Sequence, residues 1–199
     1  LNEMADAVFA SLSKSIPQIE LAFLLFRNSK IEEAGTLLIN YFRTRTNTHY
    51  LFSRNDKQRL LKDYRGLFKD QIATHIETAD KMLAGKIKWS GNYQDCGFPP
   101  RWMELKQDHE YMAFLNRNFF LPDFGIAYWC TGDEKYAEAC VAMMSDFIDT
   151  VPIPNIATYQ VKNYAFGRSP WLLIDTGLRA RMWLCVMEYI IGSPAITSE

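Results

Sequence analysis

The chain has 199 residues, of which 48% are hydrophobic and 23% charged, and its formal net charge is -1. This composition is typical of a globular protein and excludes a disordered or collagen-like chain, and the length fits a single domain over residues 1–199. The charge balance gives no reason to expect nucleic acid or an acidic membrane surface as a partner.

Helical spacing of apolar residues covers most of the first 85 residues. Pro17 suits the first turn of a helix, and Gly85 suits the position just after one. The predicted helices are Asn2 to Ser13, Pro17 to Phe26, Ile31 to Arg43, Lys57 to Tyr64 and Phe68 to Leu83.

The pattern dissolves from Gly85 to about Gln107. A loop of this length in a compact domain is usually functional or disordered, and its four large aromatic side chains argue against disorder. The segment "IKWSG" is one of the nearest candidates for a strand, but it is short. We therefore predict no convincing strand and an all-α protein built from helix pairs.

A helix from about His109 to Cys130 is predicted to be apolar almost all round, as expected of a central helix with several neighbours. Pro122 is predicted to kink it, because proline lacks the N–H that bonds four residues back. Gly132 would end this helix in the left-handed conformation, and Asp133 would cap the next one. The short turn makes the two helices an antiparallel pair.

A second long loop is predicted from Pro152 to Ser169, followed by a last helix from Pro170 to Ile190. No cofactor or metal is expected, since the three histidines are dispersed and the four cysteines have no metal-ligand spacing. The cysteines are interpreted as reduced side chains in the core. The longest apolar run, near Leu21 to Phe26, is too short to span a bilayer, and no signal peptide is visible.

Four segments in order give the chain a resemblance to a known family. They are "KIEEAGTLLINYFRTR", "ADKMLAG", "FLNRNFFLPDFGIAYWCTGDEKYAEACVAMMSDFIDTVPI", and "PWLLIDTGLRA" with "SPAITSE". Together they resemble the N-terminal part of the heparinase II/III family of polysaccharide lyases, closest to its heparan-sulfate lyase branch. The third segment, with its "LNR" triplet and "AYWCTGDEKYA" turn, is the most specific.

The resemblance implies an incomplete (α/α) toroid whose antiparallel helix pairs curl around a cleft for an acidic polysaccharide. It implies cleavage beside a uronic acid by β-elimination and a periplasmic or secreted location. A neutral Asn or His stabilises the uronate carboxylate in that family, and a Tyr or His removes the C5 proton.

The family's neutralising Asn-His pair lies downstream of the "SPA" segment, and these 199 residues contain no such pair. We therefore expect that no residue of this polypeptide is catalytic and that it has no lyase activity without the rest of the lyase chain as partner. The family's catalytic Tyr, His and β-sandwich domain are likewise expected to be missing from the segment.

Six residues are candidates for substrate binding. Asn116 and Arg117 are polar within a nearly apolar helix, so Arg117 should pair with a carboxylate or face a wet cleft. Asp175 and Arg179 are four residues apart and should meet as a half-buried pair at the apolar stripe. Trp102 and Trp171 have rings that could stack on a sugar, with Trp102 in the irregular loop favoured. Core packing is the competing interpretation for each of the six.

Two other functions remain open from the residues. A non-catalytic helical module that binds carbohydrate or protein needs no catalytic set. A glycoside hydrolase on a similar toroid would need two carboxylates that face one cleft, for which Asp123 and Asp175 are available.

Overall fold

The structure is a computed structural model that describes residues 2–46, 52–104, 109–153 and 170–197. Two compact units divide the chain, Leu1–His49 with Ile196–Glu199, and Tyr50–Ala195. The first unit holds α1 (Asn2–Ser11), α2 (Pro17–Arg27) and α3 (Ile31–Thr44). The second holds α4 (Lys57–Leu67), α5 (Lys69–Leu83), β1 (Lys86–Trp89), β2 (Asn92–Asp95), α6 (His109–Arg117), α7 (Leu121–Thr131), α8 (Lys135–Thr150) and α9 (Leu173–Ile190). The described residues are thus mostly helical, as predicted.

The core of the first unit is small and aromatic. Phe9, Ala22 and Ala34 are buried, and the rings of Phe9 and Phe26 stack with their centroids 4.8 Å apart. The alanines let α2 and α3 approach closely, because they carry no side chain beyond Cβ. This hairpin is the first of the predicted helix pairs.

Helix α7 is the central helix of the second unit. It packs against α5, α8 and α9, and its buried residues include Phe124 and Trp129. At Gly125 a Cβ would lie only 2.7 Å from the Tyr189 ring, so the glycine sets how closely α9 can approach. Gly132 has φ 75° and the Asp133 carboxylate accepts from the Lys135 N–H, which confirms the predicted turn between α7 and α8.

The single kinked helix predicted from His109 to Cys130 is wrong, because the structure has two helices there. Asn118 stands between them with φ 56°, a left-handed conformation that asparagine tolerates. Its side-chain amide donates to the Leu115 carbonyl at 2.8 Å and so satisfies the end of α6. Pro122 lies in the first turn of α7, where its missing N–H costs nothing.

The expectation of no convincing strand is also wrong. Strands β1 and β2 form an antiparallel hairpin in which Lys86 pairs with Asp95 and Trp89 with Asn92. The turn residues Ser90 and Gly91 have φ 48° and 83°, the signature of a two-residue turn that matches strand twist. "IKWSG", the short strand candidate, contributes most of β1 and the turn.

Helix α9 buries two charged residues together with apolar ones. Its buried residues are Asp175, Arg179, Val186 and Ile190, whereas Ile174 is 62% exposed. The helix begins at Leu173 and not at Pro170 as predicted, so Trp171 precedes it. No helix in the described ranges combines the length and apolarity needed to cross a membrane.

The four cysteines are free, and Cys96 and Cys140 are buried. This confirms the interpretation of reduced thiols. Most of the predicted loop from Pro152 to Ser169 lies outside the described residues.

Candidate functional site

The six candidate residues come together in the second unit, where the end of α6 meets the first half of α9. They form one connected group that we call the Arg117 cluster. Its members are Trp102, Asn116, Arg117, Trp171, Asp175 and Arg179.

Arg117 and Asp175 form the ion pair of the cluster. Arg117 Nε donates to Asp175 Oδ1 at 2.6 Å, and the Asp175 side chain is 1% exposed against 23% for Arg117. The prediction that Arg117 has a carboxylate partner is confirmed. The expected pair of Asp175 with Arg179 is wrong, because the carboxylate is bound by the neighbouring helix and not by its own.

Arg179 extends into the core instead. Its Nη1 donates to the carbonyls of Asn116 at 2.9 Å and Pro170 at 2.8 Å. The guanidinium lies over the rings of Phe147 and Trp171, with its carbon 4.2 and 5.0 Å from their centroids. Burial lowers the pKa of Arg179 to about 10, against the opposing effect of the Asp175 charge. Its Nη2 has no hydrogen-bond partner in the described part of the chain.

Trp102 and Asn116 occupy core positions. Trp102 is 3% exposed, donates from Nε1 to Asp146 Oδ2 at 2.7 Å and packs edge-on against Phe147. Asn116, also 3% exposed, donates to the carbonyls of Met112 and Trp102. Neither side chain presents a surface to a ligand in this arrangement.

Arg117 is the cluster member whose charged group reaches solvent. Asp175 occupies Nε, and the two Nη groups make no hydrogen bond or ion pair with any described residue. A planar guanidinium with two parallel N–H groups suits a carboxylate or sulfate, which it can bind through two hydrogen bonds. Since Asp175 fixes Nε, the side chain is oriented before any anion arrives.

A second polar group escaped the sequence analysis. His75 on α5 approaches Asp123 of α7 through Nδ1 at 2.5 Å and the Tyr64 hydroxyl of α4 through Nε2 at 3.1 Å. The three residues lie on separate helices and follow no motif, so no spacing could have revealed them. Asp123 and Asp175, the two carboxylates of the glycoside hydrolase alternative, thus have different partners, His75 and Arg117.

Comparison with known families decides the family question. The model of the heparinase II/III N-terminus matches residues 8–199, which is nearly the whole chain. The chain belongs to the heparinase II/III family. Similar curated proteins are the heparin-sulfate lyases of Bacteroides stercoris, 27% identical over 99% of this chain, and Bacteroides thetaiotaomicron, 22% identical over all of it. This heparinase II/III segment spans 30% and 28% of the length of those two relatives.

Solved structures confirm the fold of the segment. A heparinase III gene product with methylated lysines superposes with a TM-score of 0.73 at 22% identity, over 96% of this chain and 30% of that one. A mutant of heparan sulfate lyase HepC from Pedobacter heparinus superposes with a TM-score of 0.66 at 22% identity, over 93% and 28%. The sequence resemblance to N-terminal heparinase domains is thereby confirmed. The chain spans less than a third of the length of these solved lyases.

Proposed function

We propose that this chain is the N-terminal α-helical toroid segment of a polysaccharide lyase that cleaves a heparan-sulfate-like uronic acid polymer by β-elimination. The match of the family model to residues 8–199 carries the proposal. The helix hairpins α2–α3 and α7–α8 are the kind of unit from which such a toroid is built. The same proposal gives the intact enzyme a periplasmic or secreted location, where a polymer is accessible.

The chemistry of the intact enzyme needs charge stabilisation and a base. Removal of the C5 proton leaves charge beside the uronate carboxylate, the C4–O bond breaks, and a C4–C5 double bond forms. Hydrogen-bond donors in fixed positions must stabilise that negative charge, and the base must lie within hydrogen-bond distance of the C5 proton. The 199 residues contain no Asn-His pair, so we propose that this polypeptide is inactive alone.

Arg117 is the residue that we propose contacts the polymer. Its Nη groups have no hydrogen-bond partner among the described residues, and they can bind a uronate carboxylate or a sulfate while Nε stays on Asp175. Asp175 and Arg179 then act as positioning residues. Asp175 holds the Arg117 guanidinium, and Arg179 bonds the Asn116 and Pro170 carbonyls and so ties the end of α6 to the start of α9.

Binding of a heparan sulfate oligosaccharide, measured by calorimetry, tests the role of Arg117. Arg117→Lys keeps the charge beside Asp175 but loses the two-pronged geometry, and we expect roughly tenfold weaker binding. Arg181→Lys, at an exposed position of α9, is the matched control and should bind as the parent does. Equal affinity of all three proteins would refute the site.

Activity is measured separately, by the ultraviolet absorbance of the unsaturated product. We expect no turnover of heparan sulfate or alginate by this polypeptide, whichever way the binding experiment comes out. Clear turnover would refute the proposed dependence on the rest of the lyase chain. The activity assay and the binding titration thus test the two parts of the proposal separately.

A further inference from the structure

The solvent-facing stripe of α6 combines an aromatic side chain with charged ones. Glu110 is exposed, Phe114 and Arg117 are half-buried, and the other residues between them are buried. The three positions are spaced i, i+4 and i+7, so they follow one another along one face of the helix. Long side chains of a helix lean towards its N-terminus, which directs the stem of Arg117 over the turn that carries Phe114. The positive charge of the stripe therefore lies at its Arg117 end, next to an aromatic ring.

Phe114 is the middle member of three rings that we call the aromatic row. Its ring centroid lies 5.2 Å from that of Trp89 on β1 and 5.9 Å from that of Phe119, which follows α6. Phe119 is 36% exposed, although its neighbours Asn118 and Phe120 are 1% and 3% exposed. The left-handed backbone of Asn118 takes the chain out of the helix just before Phe119. The row thus runs from half-buried Trp89 to a ring that reaches solvent.

A sugar ring of an acidic polymer matches both parts of this surface. The faces of a pyranose carry C–H groups, which the electron-rich face of an aromatic ring attracts. An acid group of the same polymer would meet the two Nη groups of Arg117, which bond no described residue. An apolar partner, such as the face of another helix, would instead bury the Arg117 charge without neutralising it. The neighbouring charge therefore favours an acidic sugar over an apolar surface.

We propose that the aromatic row is a stacking surface for a sugar ring of the polymer whose acid group Arg117 binds. The inference rests on the proposed function and adds a second contact to it, one that recognises the C–H face of the sugar and not its charge. Phe119 supplies the most exposed ring, and Phe114 packs between it and Trp89. The stacking role expected of Trp102, which is buried, thereby passes to rings that reach solvent.

Replacement of Phe119 tests the stacking contact. In calorimetric titration of the 199-residue chain with a heparan sulfate oligosaccharide, Phe119→Leu should bind roughly fivefold more weakly, because it keeps apolar bulk but loses the flat ring. Phe119→Tyr keeps the ring and should bind as the parent does. Phe68→Leu is the matched control, because Phe68 is 43% exposed in the same unit and its ring contacts Tyr64 on α4. Its affinity should equal that of the parent.

Two further measurements separate stacking from charge. The ratio between the affinities of the parent and Phe119→Leu should be the same at about 50 and about 300 mM salt, because salt screens charges and not ring contacts. Selective saturation of the aromatic protons, followed by nuclear magnetic resonance, should transfer to C–H protons of the bound oligosaccharide. The transfer should fall in Phe119→Leu and return in Phe119→Tyr.

The outcomes distinguish this inference from the proposed function. Unchanged affinity and transfer in Phe119→Leu, with weaker binding by Arg117→Lys, would overturn the stacking role and leave the proposed function standing. Parent-like binding by Arg117→Lys, or no binding by the parent, would refute the Arg117 contact and the inference with it. A stable dimer of the parent that Phe119→Leu dissociates would overturn the inference, because a second copy would then cover the rings. Thermal unfolding confirms that each variant is folded, and absence of transfer in the parent overturns the inference without any variant.

Discussion

Arg179 and Tyr64 belong to the same compact unit, but their surroundings differ in kind. Arg179 is 3% exposed and is held by two carbonyls and two aromatic rings, so its charge belongs to the core. The Tyr64 hydroxyl lies 3.1 Å from His75 Nε2, and the Tyr64 side chain lines an open cavity whose walls are mainly apolar. The comparison shows that a charged side chain can be part of the packed core, while a less polar side chain of the same unit lines an open cavity.

The largest expected effect comes from removing the structural member of this comparison. Arg179→Ala leaves two buried carbonyls without their donor, at roughly 1 to 3 kcal/mol each, so the free energy of unfolding should fall by about 3 kcal/mol. Urea denaturation measures the change. Arg181→Ala removes an exposed arginine two residues away and should stay within about 0.5 kcal/mol of the parent. Similar values for both variants would break the comparison.

A second prediction concerns how the free energy of unfolding changes at alkaline pH because of Tyr111, a buried tyrosine of the second unit. Burial raises the pKa of Tyr111 to about 12, from an ordinary value of 10.0. Above pH 10 the unfolded chain loses this proton while the folded chain keeps it until about 12, so stability falls as pH rises through this window. The loss approaches 1.4 kcal/mol per pH unit. Unfolding free energies between pH 9 and 12 should decline less steeply in Tyr111→Phe, and an unchanged slope would contradict the assignment.

Two glycine substitutions test how tightly α9 is packed on the two sides of the helix. Gly125→Ala brings a Cβ to 2.7 Å from Tyr189, a lining residue, and should cost about 1 to 3 kcal/mol. Gly177→Ala, with no atom within 4 Å of the new Cβ, should stabilise α9 by about 0.5 to 1 kcal/mol. The two substitutions should therefore change the free energy of unfolding in opposite directions, because one Cβ enters a packed interface and the other an open surface. Thermal unfolding is sufficient to read them.

The helices could be predicted because their apolar spacing is a local property. The α7–α8 turn was predictable for the same reason, since Gly132 and Asp133 determine it within a few residues. The break at Asn118 was not, because asparagine at a left-handed position has no local pattern that separates it from a helical asparagine. The β hairpin was missed because its strands are four residues long and only Ile87 in them is buried.

The proximity of the residues in the Arg117 cluster could be expected in part from the sequence, but their contacts could not. The polar residues of α6 and α9 stood out against apolar neighbours, and the structure brings them together. Which groups each arginine binds depends on the packing of α6 on α9, and a helical wheel of one helix does not contain that information. The Tyr64–His75–Asp123 group lies beyond sequence reasoning for the same reason.

The most direct test is nuclear magnetic resonance of the arginine side chains during titration with a heparan sulfate oligosaccharide. If Arg117 offers its Nη groups to the polymer and Arg179 serves the core, the Arg117 Nε–H signal should shift progressively while the Arg179 Nε–H and Trp129 indole N–H signals stay in place. A shift of Arg179 or Trp129 without Arg117, or no shift at all under saturating oligosaccharide, would contradict this account.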